Sequence, residues 1–274
     1  MTFTPFPMPP AAPPAAPPTR VHTFVLDFDD TLFPSTWLRH LAARTRRGQF
    51  SDAAERKAAC VAFAAYAAAL RRFFAAMDAV SPNRALIITG SGGGWVRYVS
   101  PLVFDRRQKD YAGVLRRLEA MQVVEVAPFA KKAAFGSLAM QARADGGALF
   151  ALSDFGPDRP AFLDACDAAG LAREAQRHVR FVPAPSVAEL AYQLDQMTAS
   201  VAYLAARTDE RVDLAISITY NMVPGAVDPP AADIDEWNDD DDERIDRFFE
   251  AVEAAYPAAS SDGTTKSVAV ASAR

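Results

Sequence analysis

TFVLDFDDTL, residues 23–32 of the chain, is a short apolar run that ends in closely spaced acids. The run is continuous rather than alternating, which is typical of a β-strand covered on both faces of a sheet. Side chains two positions apart at a strand end project to the same side, so Asp27 and Asp29 should share one face. Open α/β sheets bind ligands at this carboxyl edge. Neighbouring carboxylates repel each other unless a cation lies between them, and Mg²⁺ favours such oxygen ligands, although a solvated acidic turn fits the same motif.

Further apolar runs follow at regular intervals along the chain. They lie at 85–88, 123–126, 148–152 and 179–182. The intervening segments have helical spacing, at 92–104, 108–120, 132–144, 159–170 and 187–199. Strands that alternate with helices indicate βαβ crossovers and a mainly parallel sheet. We therefore predict an α/β fold, a three-layer Rossmann-like domain from about residue 21 to 205, with an edge strand within 211–220.

Two segments before residue 81 differ from this pattern. Residues 1–20 hold eight prolines, which predicts a disordered tail. Residues 36–80 lack a strand signal and predict a small helical insertion, two helices joined near 48–52 with Ser51 or Asp52 capping the second. Because this insertion directly follows the acidic strand end, we expect it to form a lid or cap over that site.

The C-terminal part, residues 206–274, is an acidic extension with sixteen acids against six Lys or Arg. We expect it to be partly disordered, with one helix that contains Phe248, Phe249 and Val252.

The composition excludes several classes of protein. With 50% apolar and 23% charged residues, the chain can bury a sizeable core and is not fully disordered. A net charge of −5 is unfavourable for nucleic-acid binding. The longest apolar run, Cys60–Leu70, is too short for a membrane helix, and the start does not resemble a signal peptide. Two cysteines cannot form a disulfide framework, so we expect a cytoplasmic location and no membrane partner.

Three more polar segments follow predicted strands. Thr89 ends the second strand and precedes the glycine-rich stretch 90–94, where small residues let backbone N–H groups approach an anion. The lysine pair 131–132 begins the helix after the third strand, and SDFGPD at 153–158 places two spaced acids after the fourth. Each segment alone also fits an ordinary structure: a flexible loop, a solvated helix face and an acidic turn.

In this order the segments resemble the motifs of the haloacid dehalogenase-like (HAD) hydrolase superfamily. The residues that match the four motifs are, in chain order, Asp27, Asp29 and Thr31, then Thr89, then Lys132 in preference to Lys131, and finally Asp154 and Asp158. The resemblance covers about residues 21–205 and implies a HAD core. Ser153 stands where this family commonly has glycine, which leaves the following metal ligand in place. The phrases LDFDDTLFPSTW, GWV and RFVPAPSVAEL also resemble a little-characterised eukaryotic HAD-like group, without indicating a substrate.

The resemblance implies a Mg²⁺-dependent phosphatase that acts through an aspartyl-phosphate intermediate. Asp27 would be the nucleophile, and Asp29 would protonate the leaving oxygen and then activate water. The side chain of Asp27, the carbonyl of Asp29 and the side chain of Asp154 would hold Mg²⁺. Family members that cleave carbon–halogen bonds generally lack an acid at the position of Asp29, so the resemblance favours phosphate chemistry.

The same resemblance implies that Thr89, the N–H of Gly90 and Lys132 bind the phosphate of the substrate, with Asp158 supporting them. Two alternatives remain open: a non-catalytic scaffold or binding protein with this fold, and a phosphotransferase or phosphomutase. The arginines of the insertion either contact an anionic substrate or form solvated helix faces; they are Arg39, Arg44, Arg46, Arg47, Arg71 and Arg72. The sequence does not indicate the substrate or the oligomeric state.

Overall fold

A computed structural model of the chain describes residues 21–46, 53–127, 130–216 and 239–256. The strands are β1 (Thr23–Leu26), β2 (Ala85–Thr89), β3 (Gln122–Glu125), β4 (Leu149–Ser153), β5 (Gln176–Arg180) and β6 (Val212–Ala215). The helices are α1 (Ser35–Arg46), α2 (Ala53–Val80), α3 (Trp95–Val103), α4 (Lys109–Ala120), α5 (Lys131–Ala144), α6 (Asp158–Ala168), α7 (Val187–Ala206) and α8 (Asp239–Ala255). The predicted tail 1–20 and the link 48–52 lie outside the described residues.

The six strands form one parallel sheet in the order β3-β2-β1-β4-β5-β6. The predicted α/β, Rossmann-like three-layer fold is therefore confirmed. The chain builds the sheet outward from β1, first toward β3 and then, after returning to pair β4 with β1, toward β6. The direction of strand addition reverses between β1 and β4, and open α/β sheets bind ligands beside the carboxyl ends of the strands at such a point.

The apolar runs are continuous because the sheet is covered on both faces. Within β1, Phe24 and Leu26 join the larger core cluster, which includes residues of α2, α3, α4 and α7. Val25, between them, joins a smaller cluster with Phe135 of α5 and Phe162 of α6. Alternate residues of one strand thus enter opposite layers, which is why the sequence shows no polar alternation.

The predicted insertion 36–80 contains two helices, but only α1 remains a candidate for a lid. Phe63, Tyr66 and Phe73 of α2 are fully buried in the larger core cluster, and α2 packs along α7. Helix α2 is therefore the crossover helix between the parallel strands β1 and β2, a connection that must cover the sheet. By length and composition alone α2 also qualifies as a membrane-spanning helix, and this burial gives its apolar side a packing role.

The folded part of the chain extends beyond the predicted boundary at residue 205. The predicted edge strand is present as β6, which pairs in parallel with β5. Helix α8 packs against α1, α2 and α3 through Phe248, Phe249 and Val252.

Strand β5 begins earlier than expected, because its first residues are polar and the apolar pattern did not include them. Arg177 is buried and donates hydrogen bonds to the carbonyls of Leu204 and Glu210.

We expect Phe63→Ala to be strongly destabilising. The centroid of the Phe63 ring lies 4.9 Å from that of Phe248 and 5.3 Å from that of Tyr66, so truncation leaves a cavity where α2 meets α8. Losing a buried phenylalanine typically costs about 3–5 kcal/mol of unfolding free energy. Urea unfolding measures this, and Met140→Ala is the control, because that side chain is 58% exposed and its loss should change stability by less than about 0.5 kcal/mol. A Phe63→Ala protein as stable as this control would contradict the packing.

Candidate functional site

The acidic loop after β1 is held by its own hydrogen bonds. The N–H of Asp27 donates to the carbonyl of Leu152 in β4 (2.9 Å), and Asp27 Oδ1 accepts from the next backbone N–H (2.8 Å). Asp30 has φ +54°, in the left-handed region that aspartate tolerates better than most residues. Its carboxylate accepts from the N–H of Thr36 (2.9 Å), which satisfies a free donor at the start of α1. Asp30 therefore shapes the loop, while Asp27 lies at the carboxyl end of β1, inside the sheet.

Lys131, the first residue of α5, places its ammonium group between two buried carboxylates. Its Nζ lies 2.7 Å from Asp27 Oδ2 and 2.7 Å from Asp158 Oδ2. Lys132, the residue preferred from the sequence, lies at the surface instead, where 57% of its side chain is exposed and its Nζ is 2.9 Å from Asp164 Oδ2. The structure thus brings Lys131, rather than the preferred Lys132, to Asp27 and Asp158. Successive helix positions point about 100° apart, so only one of the two lysines can face the sheet edge.

Burial controls the electrostatics of this cluster. It raises the pKa of Asp27 above its ordinary value, and the attraction of Lys131 only partly opposes the rise. Burial also disfavours the charged form of Lys131, but the charges of Asp27 and Asp158 outweigh it and leave the lysine pKa raised. Lys131 is thus a stable cation beside a carboxylate whose negative charge is costly in this environment.

Asp154 follows β4 and is joined to the acidic loop by Thr31. The Thr31 hydroxyl accepts from the N–H of Asp154 (3.0 Å) and donates to its Oδ1 (3.2 Å), and Thr31 itself is fully buried. Burial, followed by repulsion from Asp30, raises the pKa of Asp154 to about 6. The ends of β1 and β4 are therefore tied together at the point where the strand order reverses.

Asp29 faces different neighbours from Asp27. Its Oδ2 accepts from the hydroxyl of Ser91 (2.7 Å) in the loop after β2. Its Oδ1 accepts from Trp95 Nε1 (3.1 Å) and from the hydroxyl of Ser35. The two carboxylates expected to share one face are thus held by separate sets of donors. Nothing in the sequence pattern identified these three donors. Ser91 and Trp95 depend on how the loop after β2 approaches the loop after β1, whereas Ser35 is local, six residues after Asp29.

The loop after β2 begins at Thr89, which is fully buried and whose hydroxyl accepts from the N–H of Ser91 (3.0 Å). Gly90 follows at the same strand end, beside β1. Gly93 and Gly94 have φ of +72° and +73°, a conformation that favours glycine, and the N–H of Gly94 donates to Glu125 (2.8 Å). The glycine-rich stretch is therefore a shaped turn at the carboxyl edge of the sheet.

The C-terminal part of the chain also reaches this site. Tyr256, which directly follows α8, packs edge-to-face on Trp95 with ring centroids 5.8 Å apart, and the guanidinium of Arg39 lies 5.8 Å from its ring centroid. Burial, reinforced by the charge of Asp29, raises the pKa of Tyr256 above its ordinary range, so the phenol stays protonated. No pattern in the sequence indicated this contact, because it joins segments far apart in the chain.

Several arginines of the insertion have partners elsewhere. Arg44 pairs with Glu55 across the two helices, and Arg72 of α2 forms a bidentate pair with Asp195 of α7. Arg47 lies outside the described residues. Arg39 contacts Tyr256 beside the site.

The oxygen atoms at the site suit a hard cation. Within the described ranges, no group of three His, Cys, Asp or Glu side chains is arranged to hold a metal ion. The set implied by the resemblance needs only two carboxylates, Asp27 and Asp154, with the backbone carbonyl of Asp29. Asp154 adds to the rise in the pKa of Asp27, so the two charges repel each other. A cation between them would remove that repulsion, and all-oxygen donors of this kind fit Mg²⁺.

Comparisons of the chain with family models, with curated proteins and with solved structures found no match.

Proposed function

We propose that this protein is a Mg²⁺-dependent phosphatase of the HAD type that hydrolyses phosphoric monoesters through an aspartyl-phosphate intermediate. The observation that carries the proposal is the buried contact of Lys131 with Asp27 and Asp158 beside Asp154, at the switch point of a parallel sheet. Mg²⁺ held by Asp27, Asp154 and the carbonyl of Asp29 would neutralise charge on the phosphate. The proposal keeps the roles implied by the resemblance and moves the lysine role from Lys132 to Lys131.

In the first step, a carboxylate oxygen of Asp27 attacks phosphorus and the bond from phosphorus to the ester oxygen breaks. Asp29 gives its proton to that departing oxygen, so an alcohol leaves. In the second step, the Asp29 carboxylate takes a proton from water, whose oxygen attacks the phosphorus. The bond between phosphorus and Asp27 then breaks, and inorganic phosphate leaves. The donors Ser35, Ser91 and Trp95 hold the Asp29 carboxylate in one orientation between the two proton transfers.

Lys131 supplies the permanent positive charge that these steps need. An incoming phosphate is repelled by the acids at the strand ends, and a cation at the site offsets this repulsion. Asp158 fixes the Lys131 ammonium group at 2.7 Å and carries the second negative charge that keeps it protonated. Thr89 and the N–H of Gly90 are the proposed contacts to the phosphate oxygens.

The direct test is turnover of p-nitrophenyl phosphate by the full chain, with added Mg²⁺ or with EDTA. We expect nitrophenol and inorganic phosphate to appear in equal amounts with Mg²⁺ and to stop with EDTA. Nitrophenol release that is faster than phosphate release, and that speeds up with an added alcohol acceptor, would indicate a phosphotransferase. No turnover of this ester or of a panel of phosphorylated metabolites would favour the non-catalytic scaffold and reject the proposal.

Mg²⁺ is expected to stabilise the protein, and more strongly at about pH 7.5 than at about pH 5. The pKa of Asp154 rises from 3.8 to about 6 on folding. The folded state therefore binds this proton more tightly, and without metal the free energy of unfolding falls as pH rises through that window. Mg²⁺ binds the ionised carboxylates and competes with the proton, so its effect grows as pH rises. At about 100 times its dissociation constant it should add about 2.7 kcal/mol, or roughly 5–10 °C in Tm.

Thermal melts at both pH values, at constant ionic strength, measure this difference. Asp154→Asn should remove most of the Mg²⁺ shift, and Asp164→Asn should keep it, because Asp164 lies at the surface with Lys132. A Mg²⁺ shift of equal size in all three proteins would contradict the assigned ligands.

A further inference from the structure

A second polar chain lies behind the candidate site, on β4 and the two strands beyond it. Ser153 Oγ lies 3.4 Å from His178 Nε2, and His178 Nδ1 lies 3.5 Å from Asp213 Oδ1. These residues belong to the neighbouring strands β4, β5 and β6, with His178 directly opposite Asp213 in the parallel register. Arg159 of α6 closes the chain, because its Nε lies 2.9 Å from each carboxylate oxygen of Asp213.

The charges around His178 favour one direction of donation along this polar chain. His178 is fully buried, and burial lowers its pKa to about 4 although Asp213 opposes the change, so the imidazole is neutral at neutral pH. The charged groups that face it are Asp213 of β6 together with Asp158 and Arg159 of α6. His178 Nδ1 faces Asp213 Oδ1 at 3.5 Å without a hydrogen bond of standard geometry, and because a carboxylate only accepts, this contact favours the tautomer with the proton on Nδ1. Nε2 is then an acceptor, and the hydroxyl of Ser153 must donate to it.

This arrangement is not a hydrolytic triad. Ser153 is 3% exposed and His178 is fully enclosed, so the pair lies inside the fold. The Ser153 oxygen instead keeps acceptor capacity on its other side. A small cavity lies there, and its polar lining is formed by Asp27, Lys131, Ser153 and Asp158.

The volume of this cavity is about 10 Å³, which is the room that the centre of one water molecule needs. Lys131 has three N–H donors and gives two of them to Asp27 and Asp158. A water here could accept the third and donate to Ser153 and to one carboxylate. Internal waters typically make about three such bonds.

We infer that one internal water occupies this cavity and connects Lys131 to Ser153 and His178, which makes Ser153 and His178 positioning residues for Lys131. Each group donates to the next along the polar chain, from Lys131 through the water, Ser153 and His178 to Asp213. The polar chain therefore restricts the Lys131 ammonium group in a second direction, in addition to its two ion pairs. The effect on turnover rests on the proposed phosphatase function, whereas the water and the imidazole tautomer do not.

The tautomer is tested by long-range ¹H–¹⁵N NMR on the full chain with ¹⁵N-labelled histidine. The protein has three histidines, and the signal that disappears in His178→Gln is that of His178. We expect a neutral imidazole with the proton on Nδ1 from about pH 6 to 8. A high-resolution crystal structure should show a water within hydrogen-bonding distance of Ser153 Oγ. A proton on Nε2, a charged imidazole at neutral pH or a dry cavity would each overturn the inference.

The positioning role is tested by Ser153→Ala, with Ser137→Ala on the exposed face of α5 as the control. We expect Ser153→Ala to move the Nε2 signal of His178 and to lower kcat about 10–100-fold with little change in KM, as removal of outer hydrogen-bonding partners does. Ser137→Ala should change neither. If Ser153→Ala does not fold, Ser153→Cys, which keeps a weak donor, replaces it. An unchanged kcat of Ser153→Ala, in an enzyme that is otherwise active, overturns the positioning role. A wild type without phosphatase activity overturns the proposed function instead. In that case NMR and crystallography still decide the tautomer and the water.

Discussion

Replacing Lys131 by methionine is expected to remove most of the phosphatase activity and to destabilise the fold, whereas Lys132→Met should change little. Lys131 is the cation between Asp27 and Asp158, and only 9% of its side chain is exposed. Methionine has a similar length, so the variant leaves two buried carboxylates without their counter-ion. Breaking a buried pair from one side typically costs about 3–5 kcal/mol. Loss of one group that stabilises charge in the transition state typically lowers kcat by about 10²–10³-fold.

Lys132 provides the matched control at the adjacent position. It pairs with Asp164, and the side chains are 57% and 63% exposed, so the pair should contribute at most about 1 kcal/mol. Urea unfolding and phosphate release are measured on both variants. Lys131→Arg keeps the charge and shows whether lost activity follows from lost charge or from unfolding. If Lys132→Met proves the more harmful of the two, the placement of Lys131 at the site is wrong.

The lysine pair shows where sequence reasoning reaches its limit. Both residues begin the same helix, α5, as the sequence predicted, but the helical spacing at 132–144 did not show which of them faces the sheet. One position on a helix turns a side chain by about 100°, which decides between the sheet edge and solvent. Apolar periodicity does not fix a helix end to that accuracy.

The sheet could be predicted because burial on both faces leaves an unmistakable pattern. Predicted runs at 85–88 and 148–152 correspond to β2 and β4 within one residue at each end. Strand β5 was displaced because Arg177 and His178 are polar residues in a buried strand, and only their partners across the fold make this burial tolerable. Patterns of apolar residues do not detect such pairing.

In the candidate site, too, some residues could be predicted from the sequence and others could not. Asp27 and Asp154 were predicted from their positions at strand ends together with the resemblance, because the carboxyl ends of parallel strands lie at one edge of the sheet. The groups that hold these carboxylates were not predictable, since Trp95 and Tyr256 reach the site through loop and helix packing between distant segments. For α2, the apolar pattern predicted a helix but not its position, because a lid helix and a crossover helix of that length have the same apolar pattern.

Asp27→Asn is expected to abolish the Mg²⁺-dependent release of phosphate while leaving the fold intact. The amide oxygen still accepts from the N–H of Phe28, so the loop after β1 keeps its hydrogen bond. Burial makes the Asp27 charge costly in the folded state, and the neutral amide avoids that cost, which offsets the weaker contact with Lys131. An amide is a poor nucleophile, and loss of a nucleophile typically lowers kcat on the order of 10⁴-fold or more.

Asp30→Asn is the matched control, because it makes the same chemical change three residues away in the same buried loop. Asp30 accepts hydrogen bonds from Thr36, an arrangement that the asparagine oxygen can largely reproduce, so this variant should keep most of its activity. Thermal melts establish that both variants are folded, and trapping of acid-stable radiolabelled phosphate on the protein should succeed with the wild type and Asp30→Asn but not with Asp27→Asn. Trapped phosphate on Asp27→Asn, or activity in that variant close to that of Asp30→Asn, would place the nucleophile elsewhere, because no oxygen of the amide can form the same phosphate anhydride.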